Sequence, residues 1–154
     1  MTDEDRFQLM IRSQKFLDPI PHMKAIGLQM VDFAPGAVTV RLPYSAELVG
    51  NLDTGVLAGG AISAVLDNVC GSAVVAKVVK SDAFATLDLR IDYMRPAEPG
   101  RDVLAYAECY KVTRRIAFVR GIAYHDDRDK PIANATATFM FTGRGELPQA
   151  KELA

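Results

Sequence analysis

Tryptophan is absent from this 154-residue sequence, cysteine and histidine occur twice each, and neither charge sign predominates, the formal net charge being -1. Without a basic excess there is no electrostatic footprint for a phosphate backbone, so nucleic acid is not an expected partner. Cys70 and Cys109 stand alone, without a CxxC pair or metal-ligand spacing, and read as small buried hydrophobes in a reducing compartment. His22 and His125 are too far apart to form a metal motif, so no metal site is expected. The first residues, MTDEDRFQLM, carry acids where a secretory leader carries bases, which makes the cytoplasm the expected address.

What is present is an ordinary globular composition, 49% hydrophobic and 24% charged, at a length that suits one domain over 1–154. Its most informative stretch is the apolar run GGAISAVLDNVCGSAVVAKVV, residues 59–79. The run is long enough to span a bilayer. Asp67 and Asn68 near its centre and the small residues Gly59, Gly60, Ala61, Ala64 and Gly71 argue against lipid exposure, so no membrane is expected. A helix apolar nearly all round is buried in protein, here wrapped by a sheet.

Asp67 is the only acid between Asp53 and Asp82. A bare carboxylate in an apolar helix costs several kcal/mol or more, so it must be paired, protonated or in use. Two readings stand: a catalytic acid, or a polar residue at a subunit seam satisfied by Asn68 or a neighbour. The run opens on Gly59-Gly60, whose bare backbone N–H groups at a helix start let a ligand approach closely.

The rest of the chain divides by period. Residues 1–18 suit a surface helix through Phe7, Met10, Ile11, Phe16 and Leu17, ended by Pro19 and Pro21. Strands are predicted over 28–33 and 37–42, with the turn Ala34-Pro35-Gly36 between them. Residues 43–57 read as a loop. After Asp82 the period becomes two, with Leu87, Leu89, Ile91 and Tyr93 on one face and Thr86, Asp88, Arg90 and Asp92 on the other. Further strands are predicted over 102–112, 115–125 and 131–142, with hairpins at Thr113-Arg114 and Asp126–Lys130. The architecture is α+β: an antiparallel sheet of five to six strands around one long helix, with its core over 27–142 and a tail over 143–154.

This layout resembles the hotdog fold, and the helix mouth resembles the PaaI-like acyl-CoA thioesterase branch. That branch reads N-x-x-G-x-x-H-G-G with an acid nine residues after the His; here NLDTGVLAGG precedes Asp67, nine residues after Ala58. TLDLRIDYMRPAEPG is similar to the branch's third strand and exit loop, and PIANATATFMF to its last strand. Two departures are visible: Ala58 stands at the His position, and Asn51 lies one residue further from the following Gly55.

The resemblance implies a hydrolase that releases free CoA and a carboxylic acid, with CoA as part of the substrate and no separate cofactor. It implies that the Gly59 N–H polarises the thioester carbonyl, with Asp67 as nucleophile or general base and Asn51 and Thr86 as positioning groups. Gly60, Ala58 and Asn68 would line the mouth, Asn68 orienting Asp67 or satisfying the seam. Eight helical residues separate Gly59 from Asp67, a rise of roughly 12 Å, so one helix cannot bring both to one carbonyl. The site must combine Gly59 of one subunit with Asp67 of another, in agreement with the dimer, or tetramer, that the resemblance implies. Arg95, Lys111, Arg114 and Arg115 are candidates for the CoA phosphates at the cleft mouth, against the alternative of a solvated face. Arg120, amid FVRGIAY, suggests an interface or a phosphate contact. Met10, Phe16, Met23, Ile26 and Leu48 are candidates for an acyl pocket or for plain core, and His22 reads as a loop residue. With Ala58 for His, the second reading is an acyl-CoA-binding protein with little turnover; a hotdog dehydratase is weaker, since no histidine occurs at the helix mouth.

Overall fold

The computed structural model describes residues 17, 20–78 and 83–143. The helix expected over 1–18 and the tail from 144 lie outside the described residues, apart from Leu17, which is helical and buried in the core. A one-turn helix, α1 (Pro21–Ala25), leads into strands β1 (Gln29–Ala34) and β2 (Ala37–Leu42). A short ribbon of β3 (Val49–Asn51) and β4 (Val56–Leu57) follows, then the long helix α2 (Gly59–Lys77). Strands β5 (Ala83–Tyr93), β6 (Val103–Val112), β7 (Ile116–Tyr124) and β8 (Ala133–Gly143) complete the chain.

The main sheet has six strands in the order β1-β2-β6-β7-β8-β5, every neighbouring pair antiparallel, and α2 packs on its inner face. This is the expected hotdog arrangement. Residues 43–57 are not simply loop, however: Ser45 caps a 3-10 turn, Ala46–Leu48, and β3 pairs with β4. His22, expected in a loop, is an exposed residue of α1.

Alternation explains how the helix is seated. Val38, Val40 and Leu42 of β2 face Ile62, Val65, Leu66, Val69, Cys70, Ala73 and Val74 of α2 across one apolar core. The strands beneath the helix carry small residues: Ala107 pairs with Gly121, and Gly121 with Ala135. That row forms a trough, and at its floor a Cβ on Gly121 would lie 2.9 Å from the Cys70 sulfur. Bulky residues there would hold the helix off the sheet. At its far end α2 meets the β1–β2 turn, where Gly36 (φ +75) donates its N–H to the Ala76 carbonyl at 3.0 Å. Lys77 places a cation in the last turn, where the helix dipole favours one.

One strand departs from simple alternation. Thr86 pairs with Phe139 but Asp88 pairs with Thr138, so Leu87 is a bulge. The bulge changes the parity of β5. Thr86 therefore shares the helix-facing side with Leu89, Ile91 and Tyr93 instead of lying on the opposite one, and Leu87 is left 54% exposed.

Candidate active site

Gly59, Ser63 and Asp67 recur every four residues on α2 and so line one face, which the sheet leaves partly open. The face looks toward β5. At its inner end Thr86 donates its hydroxyl to Asp67 Oδ1 at 2.9 Å. Asp67 is half-buried, so the carboxylate that the sequence set inside an apolar helix is both partnered and open to solvent. The bulge at Leu87 is what turns the threonine toward it.

At the other end lies the helix mouth. Among the described residues no side chain caps α2, whose N-cap residue is Ala58, and Gly59 and Gly60 are exposed. The Ala61 N–H turns back to the Ala58 carbonyl at 3.0 Å. The Gly59 and Gly60 amides thus stand at the positive end of a 19-residue helix with room for an anion or a polarised carbonyl. Ala58 is held by the ribbon: its N–H donates to the Leu48 carbonyl at 2.8 Å, and a Cβ on Gly50 would sit 2.7 Å from Ala58 Cα.

Two residues that sequence reasoning did not select close around this mouth. The Tyr93 hydroxyl lies 2.8 Å from the Gly59 carbonyl and 2.7 Å from Ser63 Oγ, and Ser63 Oγ lies 2.9 Å from the same carbonyl. The four-residue repeat Gly59, Ser63, Asp67 was the available signal for Ser63, and the shared face of Leu89 and Tyr93 for the tyrosine.

The remaining candidates scatter. Asn51 Oδ1 accepts the N–H groups of Asp53 at 3.0 Å and Thr54 at 3.3 Å, so its oxygen holds its own turn and its amide N–H groups are what it can offer a ligand. Asn68 is half-buried and accepts a long hydrogen bond, 3.5 Å, from Ser72 rather than orienting Asp67. Arg95 donates Nη2 to the Lys130 carbonyl, and its buried Nε has no hydrogen-bond partner among the described residues. It follows Tyr93 at the mouth end of the sheet. Arg114 and Arg115 sit at the β6–β7 turn, beside Ile116, which pairs with Met140 near the opposite end. Within one subunit these arginines therefore do not form a single phosphate clamp with Arg95, and Lys111 is exposed on β6. Arg120 faces outward, pairs across strands with Glu108 and stacks 4.5 Å from the Tyr110 ring centre. Met23 is core, with Ile26 and Leu48 packed against it, while Met10 and Phe16 lie outside the described residues.

The exit loop after β5 is pinned by a buried histidine. His125 Nε2 accepts the Glu98 N–H at 2.9 Å, which leaves Nδ1 as the protonated nitrogen, donating to the Asp102 carbonyl at 2.8 Å. Arg101 bonds Glu98 and Asp126, and its guanidinium holds the Glu98 carboxyl below the usual carboxylate range. Cys70, three residues beyond Asp67, is no nucleophile: burial first, and the Asp67 charge second, push its thiol up to about 12.

The family model of the thioesterase superfamily matches residues 54–132, which is 79 of the 154 and includes α2, β5 and the exit loop. The chain belongs to the thioesterase superfamily. Among relatives of this thioesterase-family chain, a Salmonella typhimurium protein named medium/long-chain acyl-CoA thioesterase YigI is 26% identical over 153 residues, covering 91% of this chain and 96% of that protein. A Pseudomonas aeruginosa crystal structure shares 44% sequence identity at a TM-score of 0.78, over 86% of this chain and 98% of the other. A mutant of the phenylacetic acid degradation protein PaaI from Thermus thermophilus shares 29% identity at a TM-score of 0.68, over 78% and 97%. The hotdog fold and the PaaI-like branch follow from these matches together.

Proposed function

We propose that this thioesterase-family protein hydrolyses acyl-CoA, with Gly59 of one subunit and Asp67 of its partner at each site. The observation that carries the proposal is Asp67 held by Thr86 on the same helix face as the uncapped Gly59-Gly60 mouth. The YigI relatives make medium- and long-chain acyl-CoAs the first substrates to try.

The Gly59 N–H would meet the developing oxyanion. Removing one such donor elsewhere costs about 100- to 1,000-fold in rate. Asp67 takes a proton from water as the water oxygen bonds to the carbonyl carbon, and the C–S bond then breaks. CoA leaves as a thiolate that collects the proton, and the acyl group leaves as the acid. Direct attack by Asp67 through an acyl anhydride gives the same products; 18O found in Asp67 after a single turnover in 18O-water identifies that route, because the label enters Asp67 only when water opens an anhydride at the Asp67 carbonyl carbon.

Edge pairing supports the dimer. Among the described residues β5 is an outermost strand, eleven residues long, so its outer ladder of N–H and C=O groups can pair with a second copy. It carries Thr86 toward one end and Tyr93 at the other. Antiparallel pairing of two β5 edges about a point midway between these residues sets Thr86 and Asp67 of one copy beside the mouth of the other. The arginines at opposite sheet ends would then meet across the same cleft, as the CoA phosphates require.

Thiol release from short, medium, long and aromatic acyl-CoAs tests the reading, with wild type beside Asp67→Ala. Hydrolysis lost in the mutant with the fold intact is the expected result; hydrolysis kept in Asp67→Ala removes the assigned acid. Ala58 at the histidine position favours one alternative, an acyl-CoA-binding protein with little turnover. Its signature is tight binding without hydrolysis, with turnover gained in Ala58→His.

A further inference from the structure

We propose that Tyr93, acting with Ser63, is the positioning residue that makes the diglycine helix mouth rigid enough to stabilise an oxyanion. The inference deepens the thioesterase reading and rests on it.

The need follows from the sequence. Two successive glycines have the largest backbone freedom of any pair, and the N-cap, Ala58, supplies no side-chain hydrogen bond. A donor array that must reorganise at the moment of reaction loses most of its value. Some other part of the molecule has to hold the Gly59–Gly60 peptide.

Tyr93 does so from another strand. Three oxygens, Tyr93 Oη, Ser63 Oγ and the Gly59 carbonyl, form a triangle with sides of 2.7, 2.8 and 2.9 Å. The two hydroxyls supply two protons for three sides. The shortest side, between the hydroxyls, must hold one of them, because two bare lone pairs 2.7 Å apart repel. The other proton therefore goes to the Gly59 carbonyl, from Tyr93 or from Ser63. Either way the carbonyl is fixed from outside the helix backbone, and with it the plane of the 59–60 peptide and the aim of the Gly60 N–H; Gly59 is thereby anchored on its carbonyl side, so its own N–H, the proposed oxyanion donor, loses freedom as well. A carbonyl that accepts such a bond also polarises its peptide, which strengthens that N–H as a donor. The ring adds a steric guide, since a Cβ on Gly59 would lie 3.7–3.8 Å from its hydroxyl and ring carbons. Tyr93 need not touch the substrate; it acts through the peptide.

The test is Tyr93→Phe, which keeps the ring and removes the hydroxyl from a residue already 50% exposed. The expected result is a fall in kcat of about 10-fold or more, short of the loss of a whole donor, with KM within about two-fold. The Gly60 amide resonance should move in the free protein, and the melting temperature should hold. Ser63→Ala should lower kcat less, because Tyr93 can still donate to the carbonyl, and the double variant should fall short of the product of the two effects. Replacement of Tyr93 by difluorotyrosine keeps size and packing while acidifying the phenol. It should add a limb to the pH–rate profile that a merely structural tyrosine would not give, and it carries the test if Tyr93→Phe fails to fold. Wild-type kcat and an unmoved Gly60 amide in Tyr93→Phe, or an unchanged profile with difluorotyrosine, overturn the proposal. A wild type that hydrolyses no acyl-CoA instead sinks the thioesterase reading, and the amide shift still reports whether Tyr93 holds the mouth.

Discussion

Gly121 lies close under Cys70 of α2, and replacing it by alanine tests how the helix is seated. The new Cβ would lie 2.9 Å from Cys70 Sγ, 3.5 Å from Ala135 Cβ and 3.6 Å from Leu66 Cδ2. The last two are ordinary contacts; the first is not. Cys70 and Leu66 are fully buried, so neither can swing into solvent. Relief must come from a rotamer change in a packed core or from lifting α2, at a cost of about 1–3 kcal/mol. Against this, Gly121 has no positive φ, so alanine gains about 0.4–1 kcal/mol by restricting the unfolded chain. The net loss is about 1–2 kcal/mol, and at about 2–4 °C per kcal/mol for this chain length the melting temperature falls by several degrees. Because Leu66 and Cys70 flank Asp67, hydrolysis should fall as well. The decisive measurement is a double-mutant cycle by urea denaturation. Cys70→Ala removes the clashing sulfur, so the double variant should be more stable than the sum of the single effects by about 1 kcal/mol. An undiminished melting temperature in Gly121→Ala, or strictly additive effects in the cycle, would refute the trough as the cause of the helix's position.

Three further outcomes follow from particular contacts. Gly50→Ala puts a Cβ against backbone, 2.7 Å from Ala58 Cα, where no side-chain rotation relieves it; the mouth must shift, and kcat should fall by up to about 100-fold while the core melts nearly as in wild type. In the folded chain the Cys70 thiol is pushed from 9.0 to about 12, so the native protein should resist iodoacetamide at this residue, and the sign of the linkage gives stability that is full below pH 9 and declines as the pH rises toward 12. Cys70→Ala should lose that decline in urea midpoints, whereas parallel curves for the two proteins would contradict it. His125 should show the Nδ1–H tautomer in nitrogen-15 NMR, and an Nε2–H tautomer would break the assigned bond from Glu98.

Most of the architecture was legible because it is written in periods. The β2 boundaries expected from alternating Val38, Val40 and Leu42 are those observed, and the apolar run marked α2 to within two residues of its end. The ribbon β3–β4 was not legible, because its strands are three and two residues long and set by Gly50 and Gly55 rather than by alternation. The face of Thr86 was misread for a definite reason: parity counted from Leu89 carries no sign of a bulge. Asp67 stood out because a lone acid in an apolar run is costly, whereas Tyr93 looked like one more apolar strand residue. Its hydroxyl matters only once β5 is laid beside the first turn of α2, and that contact spans 34 residues of sequence.

The bulge also bears on how this strand tolerates changes in length. A one-residue deletion in a strand ordinarily inverts every side chain beyond it, sending core residues outward. Leu87 is different. Its loss would leave Thr86 opposite Phe139 and Asp88 opposite Thr138, the partners they already have, so no side chain would change sides. β5 carries one link of slack, placed between Thr86 and Tyr93, the two residues that have to reach the same helix.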